Sequence, residues 1–248
     1  MKSVEMIAFD LDQTLTESKA PLDGEMSRLL CGLLKIKKVA VISGASFKQF
    51  ENQFLKHFSC APENLENLFL LPTNGAILYE HKGGWRSVYQ HELSQAEKKK
   101  IFEAFEKTFA ETEFKLAKKI YGELIEDRGT QVTFSGLGSE APLALKEAWD
   151  SDHTKRKVLA DTLRINLPDF SVSIGGATSI DITRKGVDKA SGVGGLMRRL
   201  GLLNKQVLYV GDALFPGGND ASLLSLGIFC ASVSGVNDTK KLIRDIIS

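Results

Sequence analysis

Three cysteines, four histidines and two tryptophans are a sparse supply in a chain of 248 residues. Cys31, Cys60 and Cys230 are scattered and odd in number. They show neither metal spacing nor a disulfide framework, which suits a reducing compartment. His57, His81, His91 and His153 share no metal or catalytic spacing and read as structural or surface residues. An excess of one charge is missing too: 32 Lys and Arg face 31 Asp and Glu, without a long like-charge block. Neither nucleic acid nor an anionic membrane is expected as a partner, while a small anionic substrate needs only local positive charge. Long hydrophobic runs are absent as well. The apolar stretch before Asp10 is too short for a signal peptide and far too short to span a bilayer, so the expected location is the cytoplasm. What remains is ordinary globular composition, 43% hydrophobic and 25% charged. A chain of this size buries a core without a disulfide or structural metal.

Four short apolar runs stop abruptly at polar or glycine residues. Val4 to Phe9 ends at Asp10, Val39 to Ile42 at Ser43-Gly44, Leu68 to Leu71 at Pro72-Thr73-Asn74-Gly75, and Gln206 to Val210 at Gly211-Asp212. Such runs read as strands buried on both faces, as in a parallel sheet. Gly24 to Lys35, Gly186 to Leu200 and Val236 to Ile247 carry helical patterns, and strand–helix alternation implies a doubly wound α/β sheet. In such sheets ligands bind outside the carboxyl ends of the strands, where these polar residues fall. The middle of the chain differs. Trp85 to His91 and Gln131 to Phe134 look like strands, with Gln95 to Phe109, Ala141 to Trp149 and Asp152 to Leu167 helical. Phe170 to Ile174 and Ser179 to Thr183 form a hairpin-like pair. This suggests an α+β insert over residues 82–185 between core segments 1–81 and 186–248. No internal repeat or low-complexity tract is present. Trp85 and Trp149 read as packing aromatics, and Arg198-Arg199 and Lys98 to Lys100 as solvated helix faces.

The strand ends carry the chemistry. Asp10 and Asp12 lie two apart on an extended segment and share a face, so both carboxylates reach one site. Two anions that close do not both stay ionised without a cation, and Mg²⁺ is a hard ion that takes oxygen ligands. A carboxylate there can attack phosphorus, while the second acts as acid and base. The bland alternative is an Asp-capped polar loop. Asp212 adds a carboxylate at the same edge, and Pro216-Gly217-Gly218-Asn219-Asp220 adds an oxygen-rich loop whose Asn219 and Asp220 either ligate metal or cap the next helix. Ser43-Gly44 opens a helix and offers a hydroxyl and free amides to a phosphate. Lys185 and Lys189 are the candidate cations for the transferring phosphoryl group.

These residues resemble the haloacid dehalogenase superfamily of phosphotransferases, across nearly the whole chain. The resemblance implies a Rossmann-like core with a mobile subclass IIB α/β cap. It makes Asp10 the nucleophile and Asp12 the acid/base. It puts Mg²⁺ on Asp10, the Asp12 backbone carbonyl and Asp212, with Asp220 supporting the metal or the lysine, and it gives Ser43, Gly44 and Lys189 the phosphoryl group. Lys189 fits the lysine of the family's KGxxK-like stretch. Within the subclass the sequence is most similar to eukaryotic-type phosphomannomutases, and also resembles Cof-like sugar phosphatases. The mutase-like stretches are Ser173 to Gly176, Ser179-Ile180-Asp181, Lys185 to Lys189, Thr73-Asn74-Gly75 and the loop after Asp212. The likeness implies Arg128, Ser173 and Asp181 as cap residues for substrate, and a possible homodimer. Two departures stand out. Leu137-Gly138-Ser139 lies where the mutase cap has a further arginine, and Gln13 replaces the glycine of DxDGT. A missing charge-assisted contact weakens cap-side phosphate binding by ~1.5–3 kcal/mol. A mutase needs that binding, since it holds a bisphosphorylated intermediate; a hydrolase does not. The expectation is therefore a Mg²⁺-dependent sugar-phosphate phosphohydrolase. A phosphohexomutase is the alternative, and a non-catalytic sugar-phosphate-binding protein a third reading.

Overall fold

A computed structural model describes residues 3–215 and 218–248. Chain order begins β1 (Met6–Asp10), α1 (Gly24–Leu34), β2 (Lys38–Ile42), α2 (Phe47–Gln53), α3 (Pro62–Leu65), β3 (Leu68–Leu71), β4 (Ile77–His81) and β5 (Trp85–Gln90). It continues through α4 (Gln95–Glu111), β6 (Ile125–Asp127), β7 (Gln131–Ser135), α5 (Leu143–Trp149), α6 (Thr154–Asn166), β8 (Phe170–Gly175) and β9 (Ser179–Arg184). It closes with α7 (Lys189–Leu200), β10 (Val207–Gly211), β11 (Phe229–Ser232) and α8 (Val236–Ile247). Two compact units result, one of residues 1–90 with 188–248 and one of residues 91–187.

The first unit is an α/β layer structure around a seven-stranded sheet in the order β11-β10-β1-β2-β3-β4-β5. The five strands from β11 to β3 run parallel, and β4 and β5 are antiparallel additions. Alternate residues of each parallel strand feed opposite cores. Ile7, Phe9, Val39, Val41, Leu208 and Val210 join α1 and α8 on one face. Met6, Ala8, Ala40, Ile42, Val207 and Tyr209 join Val193, Leu196 and Met197 of α7 on the other. That double burial is why the strands read as unbroken apolar runs. The chain leaves β1 towards β2 and β3 and later returns on its other flank as β10, so the two directions part beside β1. Loops at such a switch point diverge and leave a crevice at the strands' carboxyl ends.

Two sequence expectations are corrected here. Trp85 to His91 was assigned to the insert, yet β5 pairs antiparallel with β4 as the sheet's last strand. Its partial alternation reflects a half-covered edge rather than membership of another domain. Cys31 and Cys60 were expected to be unpaired, but they are joined in a disulfide with Cα atoms 5.3 Å apart, within bonding range. Helix α1 and the segment before α3 bring them together. Their separation of 29 residues forms no motif, so sequence spacing gave no signal. The cysteines therefore no longer speak for a reducing compartment.

The second unit has a four-stranded antiparallel sheet ordered β6-β7-β9-β8. One face is apolar: Val132, Phe134, Ile180 and Ile182 pack with Ile101, Phe105, Leu159 and Leu163 of α4 and α6. The alternate positions are polar, and the register sets Glu126, Thr133, Asp181 and Ser173 in one row across the four strands. Among the described residues no helix is long and apolar enough to cross a membrane.

Candidate active site

Strand β1 ends at Asp10 and β10 at Gly211. Because Phe9 stands opposite Val210, Asp10 and Asp212 emerge at one edge. Asp220 comes back to that edge from the following loop. One oxygen from each of Asp10, Asp212 and Asp220 can be chosen with all three within 4.8 Å of one another. Lys189, the first residue of α7 and 1% exposed, donates to Asp10 Oδ1 and to Asp220 Oδ1, both at 2.7 Å. Tyr209 Oη donates to Asp220 Oδ1 at 2.6 Å, and the Ala213 amide donates to its Oδ2 at 3.2 Å. Asp220 is thus the anchor that fixes the lysine beside Asp10.

Glycines permit two of these approaches. A Cβ on Gly211 would lie 2.2 Å from Asp220 Oδ2, so any side chain there displaces the anchor. A Cβ on Gly192 would lie 2.8 Å from the Gly75 Cα, so backbone contact sets α7 against the Thr73–Gly75 turn and fixes where Lys189 starts. Asp188 caps that helix, accepting from the Ser191 amide at 2.8 Å.

The electrostatics show a shortage of positive charge. Burial pushes the Asp10 carboxyl up to about 8, helped by the Asp220 charge and opposed by Lys189. Burial also raises Asp212, again with Asp220 adding to it. For Lys189, burial favours the neutral amine, but the Asp10 and Asp220 carboxylates outweigh it and push the ammonium up. Three buried or half-buried carboxylates against one ammonium is an arrangement that a hard divalent cation relieves. The donor set fits Mg²⁺. All candidate ligands are oxygens, and the buried Asn219 Oδ1 has no hydrogen-bond partner.

Asp12 is placed differently. Its Oδ1 accepts from the Lys19 amide at 2.7 Å and from Gln53 Nε2 at 2.8 Å, and it is not one of the three carboxylates that gather within 4.8 Å. Ser43 follows β2 and is 4% exposed; its Oγ accepts the Ala45 amide at 3.1 Å, leaving the hydroxyl proton to donate. Gly44 lies between Ser43 and Ser46, the N-cap of α2. Lys185 belongs to the second unit and donates to the Pro168 carbonyl at 3.0 Å, so of the two lysines it is Lys189 that meets Asp10. Pro216 and Gly217, part of the predicted oxygen-rich loop, fall outside the described residues.

In the second unit Arg128 gives Nε and Nη2 to Glu126 Oε2 at 2.9 and 2.6 Å. Asp181 accepts from Thr133 Oγ1 at 2.9 Å, and Thr133 accepts from Gln131 Nε2 at 2.8 Å. Ser173 stands opposite Asp181 on β8. Sequence reasoning missed Tyr209, Gln53, Glu126 and Thr133. Gln53 had a faint signal, as a polar residue on the Phe50/Phe54 stripe of α2.

A profile of haloacid dehalogenase-like hydrolases matches residues 7–243. The chain belongs to this family. As a haloacid dehalogenase-like protein it is an enzyme, and its relatives extend the match. It is 28% identical over 222 residues to phosphomannomutase 2 of Dictyostelium discoideum, covering 86% of this chain and 83% of that protein. It is 26% identical to a phosphomannomutase of Spinacia oleracea, covering 88% and 85%. Among solved structures, a haloacid dehalogenase-like hydrolase from Bacteroides thetaiotaomicron superposes with a TM-score of 0.63 at 15% identity, covering 98% of this chain and 99% of that one. A Plasmodium falciparum IMP-nucleotidase superposes with a TM-score of 0.68 at 15% identity, covering 99% and 68%. At those identities the two structures establish the fold alone.

Proposed function

We propose that this enzyme is a Mg²⁺-dependent phosphohydrolase of sugar phosphates or similar small phosphoesters, working through an aspartyl phosphate on Asp10. The observation that carries the reading is the buried contact of Lys189 with Asp10, set beside Asp212 and Asp220. Asp10, Asp212 and Asn219 would hold the ion, with Asp220 fixed behind them. When bound, Mg²⁺ supplies charge neutralisation to the carboxylates and to the substrate's phosphoryl oxygens.

The chain's own residues do the rest. Lys189 keeps Asp10 oriented and offers its charge to the transferring group, while the Ser43 hydroxyl donates to a phosphoryl oxygen. The Asp10 carboxylate attacks phosphorus as the bond to the leaving oxygen breaks, and Asp12 gives that oxygen its proton. Asp12 then takes a proton from water as the water attacks the acyl phosphate, which returns Asp10 and releases inorganic phosphate.

Phosphomannomutase activity is the second reading, favoured by the curated relatives. Against it, Ser139 stands where a mutase arginine is expected, and Arg128 already spends two donors on Glu126. A ³¹P NMR time course with Mg²⁺ and mannose 1-phosphate, with and without a hexose bisphosphate, separates the two. Growth of inorganic phosphate supports the hydrolase; a 6-phosphate signal dependent on the bisphosphate replaces it with the mutase. We place the enzyme in the cytoplasm, where phosphorylated sugars reside. Thiol counting on rapidly quenched cells tests this against the Cys31–Cys60 bond, since Cys230 is the one free cysteine of the bonded form.

A further inference from the structure

We propose that Gln53 is the positioning residue for the Asp12 acid/base, an inference that rests on the Asp12 role proposed above. Gln53 closes α2, is 8% exposed, and carries a primary amide whose two hydrogens are both used. Nε2 donates to Asp12 Oδ1 at 2.8 Å and to Thr16 Oγ1 at 2.8 Å. Thr16 Oγ1 in turn donates to the Leu11 carbonyl at 3.3 Å, a carbonyl that also accepts the Leu15 and Thr16 amides at 2.9 and 3.0 Å. The Gln53 backbone carbonyl accepts the Leu22 amide at 2.8 Å. One residue therefore ties down the loop after Asp10 at Asp12, at Thr16 and at Leu22.

The chemistry follows from which oxygen is taken. The Lys19 amide and Gln53 Nε2 both donate to Oδ1, and neither can accept a proton. Proton exchange with a leaving group or a water is thereby assigned to Oδ2, in one fixed orientation of the carboxylate. A general acid acts only when it lies within hydrogen-bond reach of its target, so an unanchored Asp12 rotamer loses the step. Glutamine suits the task because its amide is neutral and supplies two donors. Glutamate at this position would offer no donor and would set a second anion against Asp12, and asparagine is one methylene shorter.

Leaving-group dependence tests the idea. An aryl phosphate departs without a proton, whereas an alkyl phosphate needs one, and kcat/KM reports events up to phosphoryl transfer. Gln53→Met keeps volume and removes both donors. It is expected to lower kcat/KM for an alkyl phosphate roughly tenfold or more beyond any loss with p-nitrophenyl phosphate, a part of the 10²–10⁴ available from acid catalysis. It should also produce a stoichiometric burst of p-nitrophenol, since hydrolysis of the phosphoenzyme loses its base. Thr16→Val is expected to show the same pattern at smaller amplitude and serves if Gln53→Met fails to fold. An alkyl-to-aryl ratio unchanged within about twofold, where Asp12→Asn does change it, overturns the role of Gln53 alone. A ratio that is also unchanged in Asp12→Asn overturns the acid/base assignment, and this inference with it.

Discussion

In the second unit the Arg156 guanidinium, 1% exposed, meets the Asp150 carboxylate at 2.7 Å, one charge against one, while Nη1 reaches the Gly175 and Gly176 carbonyls and Nη2 the Asp150 carbonyl. Arg128 with Glu126 and Arg184 with Glu97 repeat the balanced pattern. In the first unit a single Lys189 ammonium serves both Asp10 and Asp220, with Asp212 alongside. Balanced pairs satisfy themselves and hold elements in place. An unbalanced cluster stays folded only by taking up protons or a cation, which is what the proposed metal-dependent site requires.

Breaking one member of each set should have opposite consequences. Asp150→Ala strands a buried guanidinium and should reduce stability by about 3–5 kcal/mol, seen as a lower urea midpoint for the second unit. The first unit has a covalent tie and, among the described residues, the second has none. Cys31→Ser opens a loop closed over 29 residues and should cost about 3–4 kcal/mol on the chain-entropy account. Dithiothreitol should reproduce that loss in the parent protein and leave Cys31→Ser unaffected.

The unbalanced cluster should respond the other way. Asp212→Asn removes surplus negative charge, so without metal it should stabilise the protein, on the order of 1 kcal/mol, while weakening Mg²⁺ binding by calorimetry. The pH dependence has the same origin. Asp10 holds its proton in the folded state up to about 8, while the unfolded chain sheds it near 3.8. Between those values the folded state binds more protons, so stability of the metal-free protein falls as pH rises. Thermal melts in EDTA across that window should show the decline, and saturating Mg²⁺ should flatten it.

The smallest effect concerns Gln13, which adopts φ 57°. A left-handed backbone costs a side-chain-bearing residue about 1–2 kcal/mol, and glycine returns part of that as unfolded-state entropy. Gln13→Gly should therefore stabilise by about 0.5–1 kcal/mol in chemical denaturation.

Much of the candidate site was legible because it lies where buried strands stop. Asp10, Ser43 and Asp212 each follow an apolar run, and a parallel sheet gathers such ends at one edge. The insert was legible as a change of pattern, although its start was not. Nothing local to Trp85 to Gln90 says which sheet completes its hydrogen bonds, and β4 decided that. The choice of Lys189 over Lys185 was favoured by its place in a motif, and their contacts then separated them.

By itself the sequence determined the α/β class, the order of the strand-end carboxylates and the family, because these depend on periodicity and spacing along the chain. Tertiary structure alone decided which partner each polar group has. The Cys31–Cys60 bond, the Tyr209–Asp220 anchor and the Gln53–Asp12 contact join residues 29, 11 and 41 positions apart. Side chains reach only a few ångströms, and whether such pairs meet is set by the packing of the elements that carry them.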